Sequence, residues 1–186
     1  NIGVLPIDTF AFFDTSFSIL KNKLPIRDFW IFTGLITDYL QALFFYLFGA
    51  SWKIYVFHAS VINTIGTLSF YYFLKNFNLS LFPITIYCIS FATLCYPVIG
   101  TPFAYLHSYV FSLISIFLLI GACLNEKKIF WFILPFLFFL SFFSMQTPSF
   151  YIIFLISFIS CLYFIKKKKV VEFNYFLIGV LSAFLI

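Results

Sequence analysis

Charged residues are scarce in this chain. Only 17 of its 186 residues are charged, 11 basic and 6 acidic, and Arg27 is the single arginine. Soluble domains contain about 25% charged residues, whereas 63% of this chain is apolar and phenylalanine alone supplies 32 residues. A soluble fold of this size cannot bury so much apolar surface, and a disordered chain requires low hydrophobicity. A soluble single-domain enzyme and a disordered chain are therefore excluded, which leaves an integral membrane protein.

Cysteine pairs with metal-ligand spacing are also missing. The four cysteines (Cys88, Cys95, Cys123 and Cys161) lie in apolar stretches, and we predict that they are small core residues. The net charge of +5 comes from basic residues that are too few and too dispersed for nucleic-acid binding. The chain begins without methionine and stops inside an apolar run, so we expect it to be a fragment of a longer protein.

Polar residues divide the apolar sequence into segments that are long enough to cross a bilayer as helices. The predicted spans cover residues 54–74, 81–98, 107–124, 129–145 and 149–165, with a sixth that begins near 173 and is cut at 186. Each complete span has the length that about 30 Å of hydrocarbon requires of a helix. The runs do not alternate, which excludes barrel strands. The sequence thus predicts an all-α, multi-pass transmembrane helical bundle.

The basic residues predict the orientation of these spans. The loops after the first, third and fifth spans carry Lys75, then Lys127 and Lys128, then four lysines at 166–169. By the positive-inside rule these loops are cytoplasmic. The region before residue 54 and the turns at 99–106 and 146–148 are then extracytoplasmic. We accordingly predict an extracytoplasmic loop with interfacial helices at 1–53 and a transmembrane region at 54–186.

Residues 29–50 fit two interpretations. They are long enough to span, which would move the basic residues before them to the cytoplasm as the charge rule favours. A span would place Asp38 in mid-membrane, at a cost of about 3 kcal/mol. The polar residues 34, 37, 38 and 41 share one helical face. That pattern favours an interfacial helix with this polar face towards water.

The N-terminal stretch resembles the first extracytoplasmic loop of polytopic GT-C glycosyltransferases, the bacterial relatives of the dolichyl-phosphate-mannose–protein mannosyltransferases. The pieces that carry the resemblance are Asp8, Leu20-Lys21-Asn22-Lys23-Leu24-Pro25-Ile26-Arg27-Asp28-Phe29-Trp30, Gly34-Leu35, Tyr39-Leu40-Gln41-Ala42-Leu43-Phe44-Phe45 and Phe48-Gly49-Ala50-Ser51. Met145-Gln146-Thr147-Pro148 is similar to a Lys-Gln-Thr-Pro segment of the family, with methionine in the place of lysine. Lys23 stands at a turn position where the family usually has glycine, and Ile26 replaces the common tyrosine.

The resemblance implies a GT-C-like fold and an inverting sugar transfer from a polyprenyl-phosphate donor to an extracytoplasmic lipid, glycan or protein acceptor. It assigns Asp8 as the catalytic general base. Arg27, Asp28, His107 and Gln146 are the candidate substrate-binding residues, and the Arg27 guanidinium suits a phosphate. The resemblance also allows a divalent metal on Asp8 and Asp28, which the sequence does not decide.

Structural roles compete with these assignments. Asp8 also fits the N-cap of a following helix, and Arg27 and Asp28 fit an interfacial ion pair. His107 at the membrane surface fits a histidine that hydrogen-bonds water. Gln146 fits a turn, and His58 fits an interhelical hydrogen bond.

The protein is predicted to be integral to a bacterial inner or plasma membrane, in contact with membrane lipids and without a nucleic-acid partner. A transporter or flippase of lipid-linked sugars and an inactive membrane scaffold are the alternative functions. A transporter should carry its charges near the bilayer middle, whereas here they concentrate in the N-terminal region.

Overall fold

The computed structural model describes residues 6–31, 34–97 and 100–185, with side chains from Thr9 onward. Within these ranges the chain is all-helical and contains no strand. The eight helices are α1 (Pro6–Leu20), α2 (Leu35–Phe48), α3 (Trp52–Lys75), α4 (Leu81–Leu94), α5 (Ala104–Asn125), α6 (Lys128–Ser144), α7 (Gln146–Lys167) and α8 (Val170–Phe184).

Helices α3 to α8 coincide with the six apolar segments predicted as spans. Two of them, α5 and α7, are long and apolar enough to cross a membrane. Helix α4 has 14 residues, four fewer than its predicted span. At 1.5 Å per residue it is about 21 Å long, which is shorter than a typical hydrocarbon core.

Helix α5 lies at the centre of the molecule. It packs on α3, α6 and α7, while α8 packs on α6 and α1 packs on α2. The largest buried cluster forms where α5, α6 and α7 meet, around Trp131, Leu134 and Ile156. These three side chains are apolar residues of segments predicted from hydrophobicity alone.

Four serine hydroxyls join helices inside the bundle, and large apolar side chains cover part of its outer surface. Ser108, Ser112, Ser141 and Ser149 are buried and join α5, α6 and α7 by hydrogen bonds of 2.6 to 2.8 Å between hydroxyls. One surface of α7 exposes a stripe of large apolar side chains: Phe150, Tyr151, Phe154, Leu155, Phe158 and Leu162. Interhelical hydroxyl contacts and an apolar exterior are typical of helices that meet in hydrocarbon.

The lysine-bearing loops meet at one end of the bundle. The Asn125 side-chain amide donates to Asn76 Oδ1 at 3.1 Å, which joins the ends of α5 and α3. Lys169 pairs with Glu126 at 3.0 Å, which joins the α7–α8 and α5–α6 connections. We call this end, with Lys75, Lys127, Lys128 and residues 166–169, the lysine end.

The cysteines depart from their predicted role. Cys88, Cys95 and Cys123 are half-buried and Cys161 is exposed, so none of the four is a fully buried core residue. Cys161 lies near the outward stripe of α7. A small apolar side chain is tolerated on an apolar exterior as well as in a core.

Candidate functional site

The segment after α1 folds into a tight loop opposite the lysine end. The Ile26 N–H donates to the Phe29 carbonyl at 2.9 Å, and the Asp28 N–H donates to the Leu24 carbonyl at 2.9 Å. Ile26 has a φ of +71°, which is unusual for a β-branched residue. The Ile26 side chain is 77% exposed as a result of this turn. Local hydrogen bonds, rather than a core, hold the loop.

Arg27 and Asp28 form an ion pair at the tip of this loop. Arg27 Nε donates to Asp28 Oδ1 and Nη2 donates to Oδ2, both at 2.9 Å. The Leu24 N–H donates to the same Oδ2 at 2.7 Å. The hydrogen bond from Arg27, and then that from Leu24, lowers the pKa of Asp28 to about 2. The Arg27 side chain is 69% exposed and presents its guanidinium to the surface.

A groove of about 310 Å³ separates this loop from the α6–α7 turn. Ile26, Trp30 and Gly34 line one side, and Phe143 and Gln146 line the other. The exposed Gln146 is the first residue of α7 and lines the groove opposite the loop that carries Arg27 and Asp28. The structure thus brings together two of the regions that the sequence singled out.

Gly34 fixes the loop against α6. Its N–H donates to the Ser144 carbonyl at 3.2 Å. A Cβ at this position would lie 1.9 Å from the Phe143 carbonyl oxygen, a distance that no side chain tolerates. Glycine is required here by the close approach of two backbones.

A buried chain of polar side chains crosses three helices beside the loop. Oε1 of Gln41 on α2 lies 2.9 Å from Nδ1 of His58 on α3. Nε2 of His58 lies 3.1 Å from Nε2 of His107 on α5, and Nδ1 of His107 lies 2.8 Å from the Phe103 carbonyl. Gln41, His58 and His107 are fully buried. We call this set the Gln41–His58–His107 chain.

Asp38 adds a buried carboxyl one helical turn from Gln41. It is 1% exposed, and its Oδ1 accepts from the Thr15 hydroxyl on α1 at 2.5 Å. Its Oδ2 has no hydrogen-bond partner within the described residues. Burial raises the pKa of Asp38 to about 6, and the bond from Thr15 opposes that shift.

The polar face of α2 points inward, which corrects the sequence-based prediction. Thr37, Asp38 and Gln41 were expected to face water, yet all three are buried. The opposite face exposes Tyr39, Leu43 and Tyr46. Helical periodicity shows which residues share a face but does not show what that face contacts.

His107 is also placed differently from the surface histidine that its position predicted. It is fully buried, so it does not lie at the surface in contact with water, and it does not line the groove with Gln146. His58 has the interhelical hydrogen bond that was predicted. The chain that joins them was missed because His58 and His107 lie 49 residues apart, and only the packing of α3 on α5 brings them together.

The structure describes the backbone of Asp8 and not its side chain. Helix α1 begins at Pro6, so the Asp8 backbone belongs to its first turn rather than to the predicted N-cap. The Asp8 side chain lies outside the described residues, and its catalytic role stays a prediction.

The Asp28 carboxylate does not suit the metal that the family resemblance allows. Both its oxygens already accept hydrogen bonds from Arg27, and one also accepts from Leu24. No group of three histidine, cysteine or acidic side chains is arranged for a metal ion in the part of the chain that the structure describes. A metal on Asp28 would compete with the positively charged Arg27 for the same two oxygens.

The chain matches no protein-family model, and comparison with curated proteins and with solved structures found no similar protein.

Proposed function

We propose that the protein is a multi-pass membrane glycosyltransferase that moves a sugar from a polyprenyl-phosphate donor to an extracytoplasmic lipid, glycan or protein acceptor. The observation that carries the proposal is a pair of adjoining cavities at the end of the bundle opposite the lysine end. Phe143 lines both of them, the loop groove on one side and an apolar cavity between helices on the other. A donor with a lipid tail and a polar head needs two such compartments side by side.

The apolar cavity has the character that an isoprenoid chain requires. Its volume is about 340 Å³, and its walls come from α6, α7 and α8, including Phe138, Phe142, Phe150 and Val180. Such walls offer dispersion contacts and no competing hydrogen bonds.

The loop groove would receive the polar head of the donor. Gln146 supplies an amide at its rim, and Trp30 is 74% exposed beside it. Arg27 follows Ile26 of the groove lining, and its guanidinium suits the charge of a leaving phosphate. Asp28 would hold the guanidinium in place until the donor arrives.

The proposed transfer is a single displacement. The Asp8 carboxylate takes the proton of the acceptor hydroxyl while the acceptor oxygen forms a bond to the anomeric carbon of the sugar. The bond between that carbon and the phosphate oxygen breaks, and polyprenyl phosphate leaves with the electron pair. Arg27 offsets the charge that develops on the phosphate. No step is assigned to a metal.

The test compares variants of the full-length protein in membranes that lack the native enzyme. Radiolabelled polyprenyl-phosphate sugars are supplied as a panel, and release of polyprenyl phosphate is measured. We expect Asp8→Asn to abolish release and Arg27→Gln to reduce it by about 10²-fold, the loss typical of one charge-stabilising donor. Asp14→Asn, an exposed aspartate on the same helix, is the matched control and should retain activity.

Other outcomes would redirect the proposal. Equal release by wild type and Asp8→Asn would show that Asp8 is not the base. Absence of release with any donor, together with movement of lipid-linked sugar across the bilayer, would favour the flippase. Absence of both would favour the scaffold.

A further inference from the structure

The net charge of the protein is confined to one end. Seven lysines and two glutamates lie at the lysine end, which gives that end a formal charge of +5. The remaining four basic and four acidic residues cancel. Both glutamates, Glu126 and Glu172, contact the same lysine, Lys169, at 3.0 and 3.6 Å. The other lysines of this end have no carboxylate within 4.0 Å among the described residues.

A cavity of about 350 Å³ opens at this end between α3 and α5, beside the start of α6. Its volume falls in the range of about 300–1,000 Å³ typical of small-molecule sites. The inner walls are apolar and include Phe73, Phe117 and Phe130. Phe73 and Phe117 stack with ring centroids 4.5 Å apart. The cavity therefore has a firm aromatic floor suited to hydrocarbon.

The mouth of the same cavity is polar. Lys127, Asn76 and Asn125 line it, together with Tyr72. The two asparagine side chains are hydrogen-bonded to each other, and this bond joins α3 to α5 at the rim of the cavity. The Lys127 ammonium lies over the Phe130 ring, 5.7 Å from its centroid, and has no carboxylate within 4.0 Å among the described residues. One cavity thus joins a cationic rim to an apolar interior.

We infer that this cavity holds the headgroup and upper acyl chain of an anionic phospholipid. The lipid phosphate pairs with Lys127 and the chain lies against Phe117 and Phe130. Anionic lipid is selected because the Lys127 side chain lies in the mouth of the cavity, and a lysine near an anionic surface contributes about 1 kcal/mol. The inference requires membrane embedding but is independent of the proposed sugar transfer.

The test is native mass spectrometry of the full-length protein released from nanodiscs of dioleoyl phosphatidylglycerol and dioleoyl phosphatidylcholine in equal amounts. We expect one phosphatidylglycerol per chain to be retained in preference to phosphatidylcholine. Lys127→Gln should lower this retention about fivefold, the factor that corresponds to one lysine. Lys127→Arg should restore it, because the charge returns.

Lys128→Gln is the matched control, since it removes one charge from the same end without touching the cavity lining. Equal loss in Lys127→Gln and Lys128→Gln would overturn the inference in favour of diffuse attraction. Retention of phosphatidylcholine at the same level would also overturn it. Displacement of the lipid by millimolar inorganic phosphate would show a simple phosphate site instead of a lipid site.

Discussion

At the residue scale, the two histidines constrain each other. Nδ1 of His107 faces a carbonyl, which only accepts, so this nitrogen carries a proton. Nε2 of a neutral His107 is then an acceptor, and the facing Nε2 of His58 must donate. Nδ1 of His58 is left as an acceptor, whereas Gln41 Oε1 is the atom placed against it. A neutral chain therefore requires the Gln41 amide to be rotated by 180°, so that its nitrogen donates to Nδ1. The hydrogen bonds of the neutral chain therefore run in one direction, from Gln41 to the Phe103 carbonyl.

This direction predicts opposite tautomers for the only two histidines of the protein. In ¹⁵N NMR of histidine-labelled protein, His107 should show a protonated Nδ1 and His58 a protonated Nε2. His58→Phe assigns the signals by removing one set. Gln41→Leu leaves a buried acceptor unpaired and should cost about 1–3 kcal/mol of stability. Two Nδ1–H tautomers in the wild-type spectrum would contradict the direction.

Asp38 predicts a pH dependence of stability. Its pKa in the folded protein, about 6, lies above the ordinary value of 3.8 because of burial. The folded state thus binds the proton more tightly than the unfolded state. The stability that this proton contributes is complete below about pH 4 and is lost as the pH rises through about 6. Asp38→Asn should remove this loss of stability at high pH, and so stabilise the protein at pH 7.5 by roughly 2–3 kcal/mol.

Thermal unfolding in detergent between pH 4 and 8 measures this effect. The difference in Tm between wild type and Asp38→Asn should grow as the pH rises from 4 to 6. Asp14→Asn should follow the wild-type curve, since Asp14 is exposed on α1. A difference in Tm that is constant with pH would contradict the titration of Asp38 in this range.

At the element scale, helix positions could be predicted from the sequence and helix faces could not. Apolar runs bounded by charge located α3 to α8, because segment length depends only on local composition. The sequence identified the polar face of α2. Whether that face meets water or the protein interior depends on which helices pack on α2. Asp38 and His107 are buried because α1, α3 and α5 supply their partners, and no local pattern encodes those distant contacts. The loop groove could be anticipated only as two separate motifs.

Two helical glycines differ in whether an added methyl group would fit against the neighbouring side chain or backbone. A Cβ on Gly179 of α8 would lie 2.3 Å from the Phe132 carbonyl oxygen of α6, whereas one on Gly121 of α5 would lie 3.4 Å from the Phe130 ring. Gly179→Ala should separate α8 from α6 and cost about 1–3 kcal/mol through overpacking. Gly121→Ala should be neutral or stabilising by up to about 1 kcal/mol, because alanine favours a helix.

Unfolding of both variants in the same detergent gives the comparison. Both substitutions add one methyl group within a helix, so the difference between them isolates the interhelical contact. Equal Tm values would show that α8 does not pack on α6 as closely as described.

At the scale of the whole molecule, buried serine hydroxyls join the helices, large apolar side chains cover much of the exterior, and the net charge lies at one end. Buried hydroxyls and an apolar exterior suit a hydrocarbon environment, and an end with a formal net charge of +5 suits the cytoplasmic face. The loop groove lies at the other end, where charges are balanced. The loop groove and the cavity of the lysine end therefore open at opposite ends of one bundle.

This arrangement predicts that the two ends are reached from opposite sides of the membrane. With the native cysteines replaced by alanine, Lys23→Cys on the loop and Lys166→Cys at the lysine end are treated with a membrane-impermeant maleimide in right-side-out vesicles. Lys23→Cys should be labelled in intact vesicles, and Lys166→Cys only after permeabilisation. Labelling of neither before permeabilisation would place both on the cytoplasmic side. That result would require α2 to cross the bilayer, although Gly34 before it is hydrogen-bonded to Ser144 at the end opposite the lysine end.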